Sequence, residues 1–190
     1  MTSDAKRLKV INLWAGPGAG KSTAGAGLFS LMKAKGYSVE LVTEFAKEMV
    51  YEGRIGELKS NQMMVLQEQD RRLRRLQGQV TWAITDSPLP LSLAYRPSGG
   101  VFSKDWFTDA VLELFRDYEN INVRINRVKR YIQAGRYQTK AEALKLDDRI
   151  DGVLKEINHT STILWVNGDA KAPGRILDWL ERHHGAFAYG

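Results

Sequence analysis

Between the apolar run Val10-Ile11-Asn12-Leu13-Trp14 and a helix-forming stretch lies the segment Ala15-Gly16-Pro17-Gly18-Ala19-Gly20-Lys21-Ser22-Thr23. Glycines at this density let backbone N–H groups curve round an anion without Cβ clashes, and a helix starting behind them adds its positive dipole end. The chemistry this permits is polyphosphate binding. Gly16, Pro17, Gly18, Ala19, Gly20, Lys21, Ser22 and Thr23 form the expected cradle for ATP, with Lys21 reaching the β- and γ-phosphates and the Ser22 hydroxyl ligating Mg²⁺. Ala15 stands where such loops usually begin with glycine, one methyl larger, whereas close backbone approach is needed at Gly18 and Gly20.

Two carboxylates extend the constellation. Asp86 follows the apolar run Thr81-Trp82-Ala83-Ile84-Thr85, a position from which a carboxylate reaches Mg²⁺ directly or through water. Its alternative is turn chemistry ahead of Pro88. Glu44, after the alternating run from Ser38 to Thr43, is the candidate general base for an acceptor hydroxyl, or else a helix-start glutamate favoured by the dipole. Phosphoryl transfer also benefits from guanidinium groups that close over the group in flight. From Asn120 to Ala141 there is no acidic residue, and Arg127, Arg130 and Arg136 fall inside that segment. Gly135 gives it a hinge, and Thr139 with Glu142 forms a capping box for the next helix, so residues from about 129 to 140 read as an arginine lid. The candidate catalytic set is therefore Lys21, Glu44, Asp86, Arg127 and Arg136, with Ser22 and Asp86 as metal ligands. Arg124 alternates with Ile121, Val123 and Ile125 and reads as local surface.

These residues need a scaffold that gathers them. Short apolar runs alternate with longer amphipathic segments, the pattern of a parallel sheet covered by helices. Strands are expected at Lys9–Trp14, Ser38–Thr43, Thr81–Thr85, Ile121–Val128 and Ser161–Val166. Helices are expected at Lys21–Lys35 with Gly36 as its cap, at Asn61–Gln77, after Ser103 as N-cap, at Thr139–Asn158 and at Pro173–His183. The fold class expected is a single-domain α/β P-loop NTPase spanning residues 1–190, with a five-stranded parallel sheet flanked by helices and an arginine-rich lid. Ligands of such sheets bind beyond the carboxyl ends of the strands, where the glycine-rich loop, Glu44, Asp86, the basic segment and Asn167-Gly168-Asp169 all fall.

Composition narrows the class of function. The chain of 190 residues is 43% hydrophobic, enough for one core and no more. No apolar run approaches the roughly 18 residues of a membrane span, and the first residues lack a signal-like apolar stretch, so a soluble cytoplasmic protein without a membrane partner is expected. With no cysteine and three histidines lacking ligand spacing, no structural metal is expected. A net charge of +6 favours a polyanionic partner. Arg71-Arg72-Leu73-Arg74-Arg75 is a second basic cluster, either a solvated face or a grip on an acceptor. Gly168 and Asp169 are weak candidates for an adenine edge. Trp14, Trp82 and Trp165 read as core, while Trp106, Tyr131 and Tyr137 are better placed to stack on a base.

With these residues in hand, the chain resembles the small P-loop kinases of the nucleotide and nucleoside kinase group over nearly its whole length. Val42-Thr43-Glu44-Phe45-Ala46-Lys47-Glu48, Thr85-Asp86-Ser87-Pro88, Arg127-Val128-Lys129-Arg130-Tyr131 and Gly135-Arg136-Tyr137-Gln138-Thr139 resemble, more narrowly, a bacteriophage-rich subgroup. That subgroup is related to nicotinamide riboside kinase domains and includes kinases acting on 5-hydroxymethyluracil in DNA. The resemblance implies ATP-dependent transfer to a base hydroxymethyl group in DNA, in a host cytoplasm. Thr85-Asp86-Ser87 departs from the Glu-Arg pair that many nucleoside kinases carry. The alternatives are a deoxynucleoside monophosphate or nucleoside kinase, which would grip its acceptor with Arg54, Arg71 or Arg75, and a nucleotide-switch ATPase.

Overall fold

The computed structural model describes residues 7–128, 138–157 and 162–184. Five parallel strands form one sheet: β1 (Lys9–Trp14), β2 (Val39–Val42), β3 (Trp82–Thr85), β4 (Glu119–Asn126) and β5 (Leu164–Asn167), in the order β2-β3-β1-β4-β5. This is the expected α/β class with its five-stranded parallel sheet. β1 lies at the centre, where Ile11 is level with Ile84 of β3 on one side and Ile121 of β4 on the other. At the edge, Val42 of β2 is level with Thr85 of β3, so the residues following these two strands emerge side by side.

Helices cover both faces. On one face α1 (Lys21–Ala34) and α8 (Ala172–His184) bury Leu28, Met32, Ile176 and Leu180 against Ile11, Leu13, Ile84 and Val123. On the other, α4 (Gln62–Arg74), α5 (Leu91–Tyr95), α6 (Asp105–Arg116) and α7 (Lys140–Ile157) pack Leu66, Leu93, Phe107 and Ile150 against Val10, Trp14 and Ala83. Two short helices, α2 (Phe45–Tyr51) and α3 (Ile55–Ser60), form a satellite cluster with α4 through Met49, Leu58 and Val65. Sequence periodicity does not anticipate α2, α3 or α5, which are too short to express a 3.6-residue repeat.

The Thr139–Glu142 capping box is present: the Thr139 amide donates to Glu142 Oε2 at 2.6 Å, and the Glu142 amide donates to Thr139 Oγ1 at 3.3 Å. Ser103 is not the N-cap of α6. Its hydroxyl donates to the Gly100 carbonyl in a short 3₁₀ turn, and the helix starts at Asp105 behind Lys104. Arg124 is not surface either. It is 5% exposed, covered by α7, and its guanidinium is paired with Asp151 and Asp147. Trp165 departs in the other direction, being 49% exposed on the edge strand β5. Trp14 and Trp82 are core.

Phe107 has no exposed surface and packs edge-on against Phe102 and Trp106. Phe107→Ala should cost about 3–5 kcal/mol, read as a lower midpoint in urea unfolding with the slope unchanged.

Candidate active site

The loop between β1 and α1 is built on Gly20, whose φ of 109° is open to glycine and strained for other residues. Its position is set by a close approach from another strand end. A Cβ built on Gly168, just after β5, would lie 2.2 Å from the Ala19 carbonyl oxygen. Ala19 is fully buried, whereas Pro17, Gly18, Gly20, Lys21, Ser22 and Thr23 line an open cleft. The Gly16 amide donates to Asp147 Oδ1 of α7 at 2.7 Å, which makes it a structural contact in this conformation.

Lys21 is 7% exposed and folds back on the loop, donating to the Ala15 carbonyl at 2.6 Å and to the Gly16 carbonyl at 3.3 Å. Burial pushes its pKa below the ordinary lysine value, and the negative charges of Glu44, Asp86 and Asp147 oppose that fall. Ser22 Oγ donates to Asp86 Oδ2 at 2.6 Å. Asp86 Oδ1 is buried and, among the described residues, is the side-chain atom left without a hydrogen-bond partner. A buried carboxylate oxygen of this kind needs a cation or donor to offset its lost hydration. An adjacent hydroxyl and a hard, unpaired carboxylate oxygen suit Mg²⁺. No cluster of three metal-ligating side chains occurs among the described residues, so a Mg²⁺ ion here would take its remaining ligands from phosphate and water.

Glu44 precedes α2 at the N-cap position with extended backbone, yet its side chain makes no capping hydrogen bond. It lines the same cleft as Lys21 and Ser22. The cleft has a volume of about 240 Å³. It runs from the loop to a wall from α2 to α5 that includes Tyr51, Gln62, Val65, Ser92 and Tyr95. Gln62 is 4% exposed, and its Nε2 donates to the Leu58 carbonyl at 2.7 Å. Sequence reasoning missed this wall: Tyr51, Ser92 and Tyr95 lie on or beside helices too short to show a repeat, and nothing local marks which face of the predicted α4 helix Gln62 and Val65 present to the cleft.

Arg127 is positioned on the loop and not over the cleft. Its Nε and Nη2 donate to Asp147 Oδ2 at 3.0 and 2.7 Å, and Nη1 donates to the Pro17 carbonyl at 2.7 Å. Asp147 thus joins α7 to the loop through Gly16 and Arg127 together, a role the sequence did not signal. Arg136, Arg130, Tyr131 and Tyr137 lie outside the described residues. The α4 arginines are largely ion-paired: Arg71 with Glu68, Arg72 with Glu48 and Glu68, and Arg74 with Asp70 and Asp117. Arg54 pairs with Glu52 and Glu57. None of Arg54, Arg71 and Arg75 lines the cleft, whose basic side chains among the described residues are Lys21 and Lys47. Trp106 of α6 packs at an angle against Phe102 and edge-on against Phe107, and is not part of the cleft lining.

A sequence profile described as an AAA domain matches residues 10–172. The chain belongs to this AAA-domain family. No curated protein matches it in sequence. Among solved structures, a NadR protein in complex with NAD and AMP-PNP superposes with a TM-score of 0.68 at 12% identity, covering 95% of this chain and 51% of that one. The chain therefore spans about half the length of that protein. A deoxyadenosine kinase from M. mycoides, with dCMP and dCDP bound, gives a TM-score of 0.58 at 16% identity, covering 91% of this chain and 99% of the other. The same kinase with dCTP gives 0.56 at 19% identity, covering 92% and 100%. At these identities the likeness is one of fold: this AAA-domain protein has a P-loop kinase-like architecture.

The contact between Gly168 and the loop yields a direct test. Gly168→Ala should weaken ATP binding on the order of tenfold, since an overpacked contact costs about 1–3 kcal/mol and its Cβ meets backbone. Gly174→Ala, where a Cβ meets nothing within 4 Å, should leave the affinity unchanged in the same calorimetric titration.

Proposed function

We propose that the protein is an ATP-dependent phosphotransferase acting on a hydroxyl acceptor. The observation that carries this reading is that Glu44 lines one cleft with Lys21 and Ser22. Lys21 turns from the loop carbonyls to the β- and γ-phosphates of ATP. Ser22 and Asp86 would hold Mg²⁺, which would supply charge neutralisation at those phosphates. Glu44 accepts the acceptor's proton as its oxygen bonds to the γ-phosphorus and the bond to the β–γ bridging oxygen breaks, releasing ADP. Arg127 and Arg136 complete the set as charge-stabilising groups, Arg127 by exchanging Asp147 for phosphate oxygens.

The acceptor side of the cleft offers aromatic, aliphatic and amide groups from Tyr51, Val65, Tyr95 and Gln62. That chemistry suits an uncharged flat heterocycle better than a second phosphate. The reading we favour is transfer to the hydroxymethyl group of 5-hydroxymethyluracil in DNA, supported by the resemblance of the Glu44, Asp86 and lid segments and by the net charge of +6. A DNA acceptor would have to bring its hydroxymethyl group to Glu44 inside the cleft, and so would enter with its nucleotide turned out of the stack. A free nucleoside is the second reading, favoured by the ion pairing of the α4 arginines.

Labelled ATP offered with nucleosides, nucleoside monophosphates, plain DNA and DNA bearing 5-hydroxymethyluracil separates these readings. Label should enter the modified DNA, and the rate should fall on the order of tenfold or more between about 50 and about 200 mM salt. Label in free nucleoside alone, at a salt-insensitive rate, would select the second reading. ATP hydrolysis without an acceptor product would favour a nucleotide-switch ATPase.

A further inference from the structure

The side chain of Gln69 is not part of the cleft lining, yet it touches the neighbours of both acidic residues. It lies on α4 and is 2% exposed. Its Oε1 accepts from the Phe45 amide at 3.3 Å, and its Nε2 donates to the Thr43 carbonyl and to Thr85 Oγ1, each at 3.3 Å. Thr43 and Phe45 flank Glu44. Thr85 precedes Asp86, and its Oγ1 also accepts from the Ser87 amide at 3.1 Å. The network fixes the orientation of the carboxamide, since a flipped group would set NH₂ against the Phe45 N–H and oxygen against the Thr43 carbonyl.

Arg72, three residues on and on the same face of α4, reinforces this grip. Its Nη1 donates to the Thr43 carbonyl at 3.3 Å and its guanidinium pairs with Glu48 of α2. The hydrogen bonds to Arg72 hold the Glu48 carboxyl below its ordinary pKa. A basic helix face that reads as a polyanion surface is thus partly an anchor for the turn that bears Glu44.

We propose that Gln69 is a positioning residue that sets the placement of Glu44 relative to Asp86, with Arg72 as its second point of attachment. Strands β2 and β3 are adjacent, but their pairing ends at Val42 and Thr85, before either acidic residue. Beyond that point the backbone ladder no longer holds the two turns together, and one buried carboxamide bridges them. The inference rests on Glu44 being the general base.

Gln69→Leu removes all of these bonds at nearly constant volume, and Gln69→Glu keeps the acceptor for Phe45 while losing the donors. Both should lower kcat for γ-phosphoryl transfer by about 10- to 100-fold, the scale of a misplacement near 1 Å, with the dissociation constant for ATP unchanged. Added to Glu44→Gln, Gln69→Leu should cause no further loss, because it acts through the group already removed. The Phe45 amide should also exchange its hydrogen on the order of tenfold faster, as expected for a lost hydrogen bond, in a readout independent of any acceptor. Unchanged kcat in the single variants, an equal additional loss in the Glu44→Gln background, or unchanged exchange at Phe45 would overturn the role of Gln69. Wild-type turnover by Glu44→Gln alone would instead overturn the assignment of the base.

Discussion

A buried carboxylate oxygen with no hydrogen-bond donor is the constraint on which this site turns. Asp86 is 4% exposed, receives a hydrogen bond from Ser22 on one oxygen and nothing on the other, and acts electrostatically on a lysine that is itself buried. Such a group is costly in a protein that has only to fold, since replacing it by a well-packed apolar side chain would relieve the lost hydration. The arrangement becomes favourable once a cation and a polyphosphate complete it. Lys21 tells the same story: buried and charged, it donates to two carbonyls of its own loop.

The remainder of the fold holds those groups in register. The loop is gripped from two sides, by the close approach of Gly168 after β5 and by Asp147 of α7 through Gly16 and Arg127. The α7 helix also begins at the capping box just after the basic segment. Asp147 on that helix therefore ties α7 to the phosphate loop. The helical wall of the cleft has a different construction. Its α2, α3 and α4 part centres on the small cluster of Met49, Leu58 and Val65, while α5, which packs in one of the large cores, adds Ser92 and Tyr95.

Much of this was legible in the sequence, and the reasons for success and failure are physical. The loop, its following helix and the strand ends bearing Glu44 and Asp86 carry local signals: glycine density, alternation, a carboxylate after an apolar run. The Thr139–Glu142 box is likewise a four-residue pattern that reads directly. Arg124 was misplaced because alternation shows which residues share a face but not whether a helix covers it. Arg127 reads from the sequence as one of the guanidinium groups that close over the phosphoryl group, and its ion pair with Asp147, 20 residues away, leaves no local trace. The α4 arginines read as a charged stretch, but their carboxylate partners include Glu48 and Asp117, remote in sequence. Gln69 and Gly168 act through tertiary contacts of the same kind.

The central claim is that Glu44 completes the phosphate site as the proton acceptor while taking no part in holding the nucleotide. Phosphoryl transfer and ATP affinity measured together on Glu44→Gln test it most directly. The glutamine variant should bind ATP with wild-type affinity and transfer the γ-phosphoryl group about 10²- to 10⁴-fold more slowly, the range of a general base. Turnover near the wild-type rate, or loss of ATP binding in step with turnover, would contradict it.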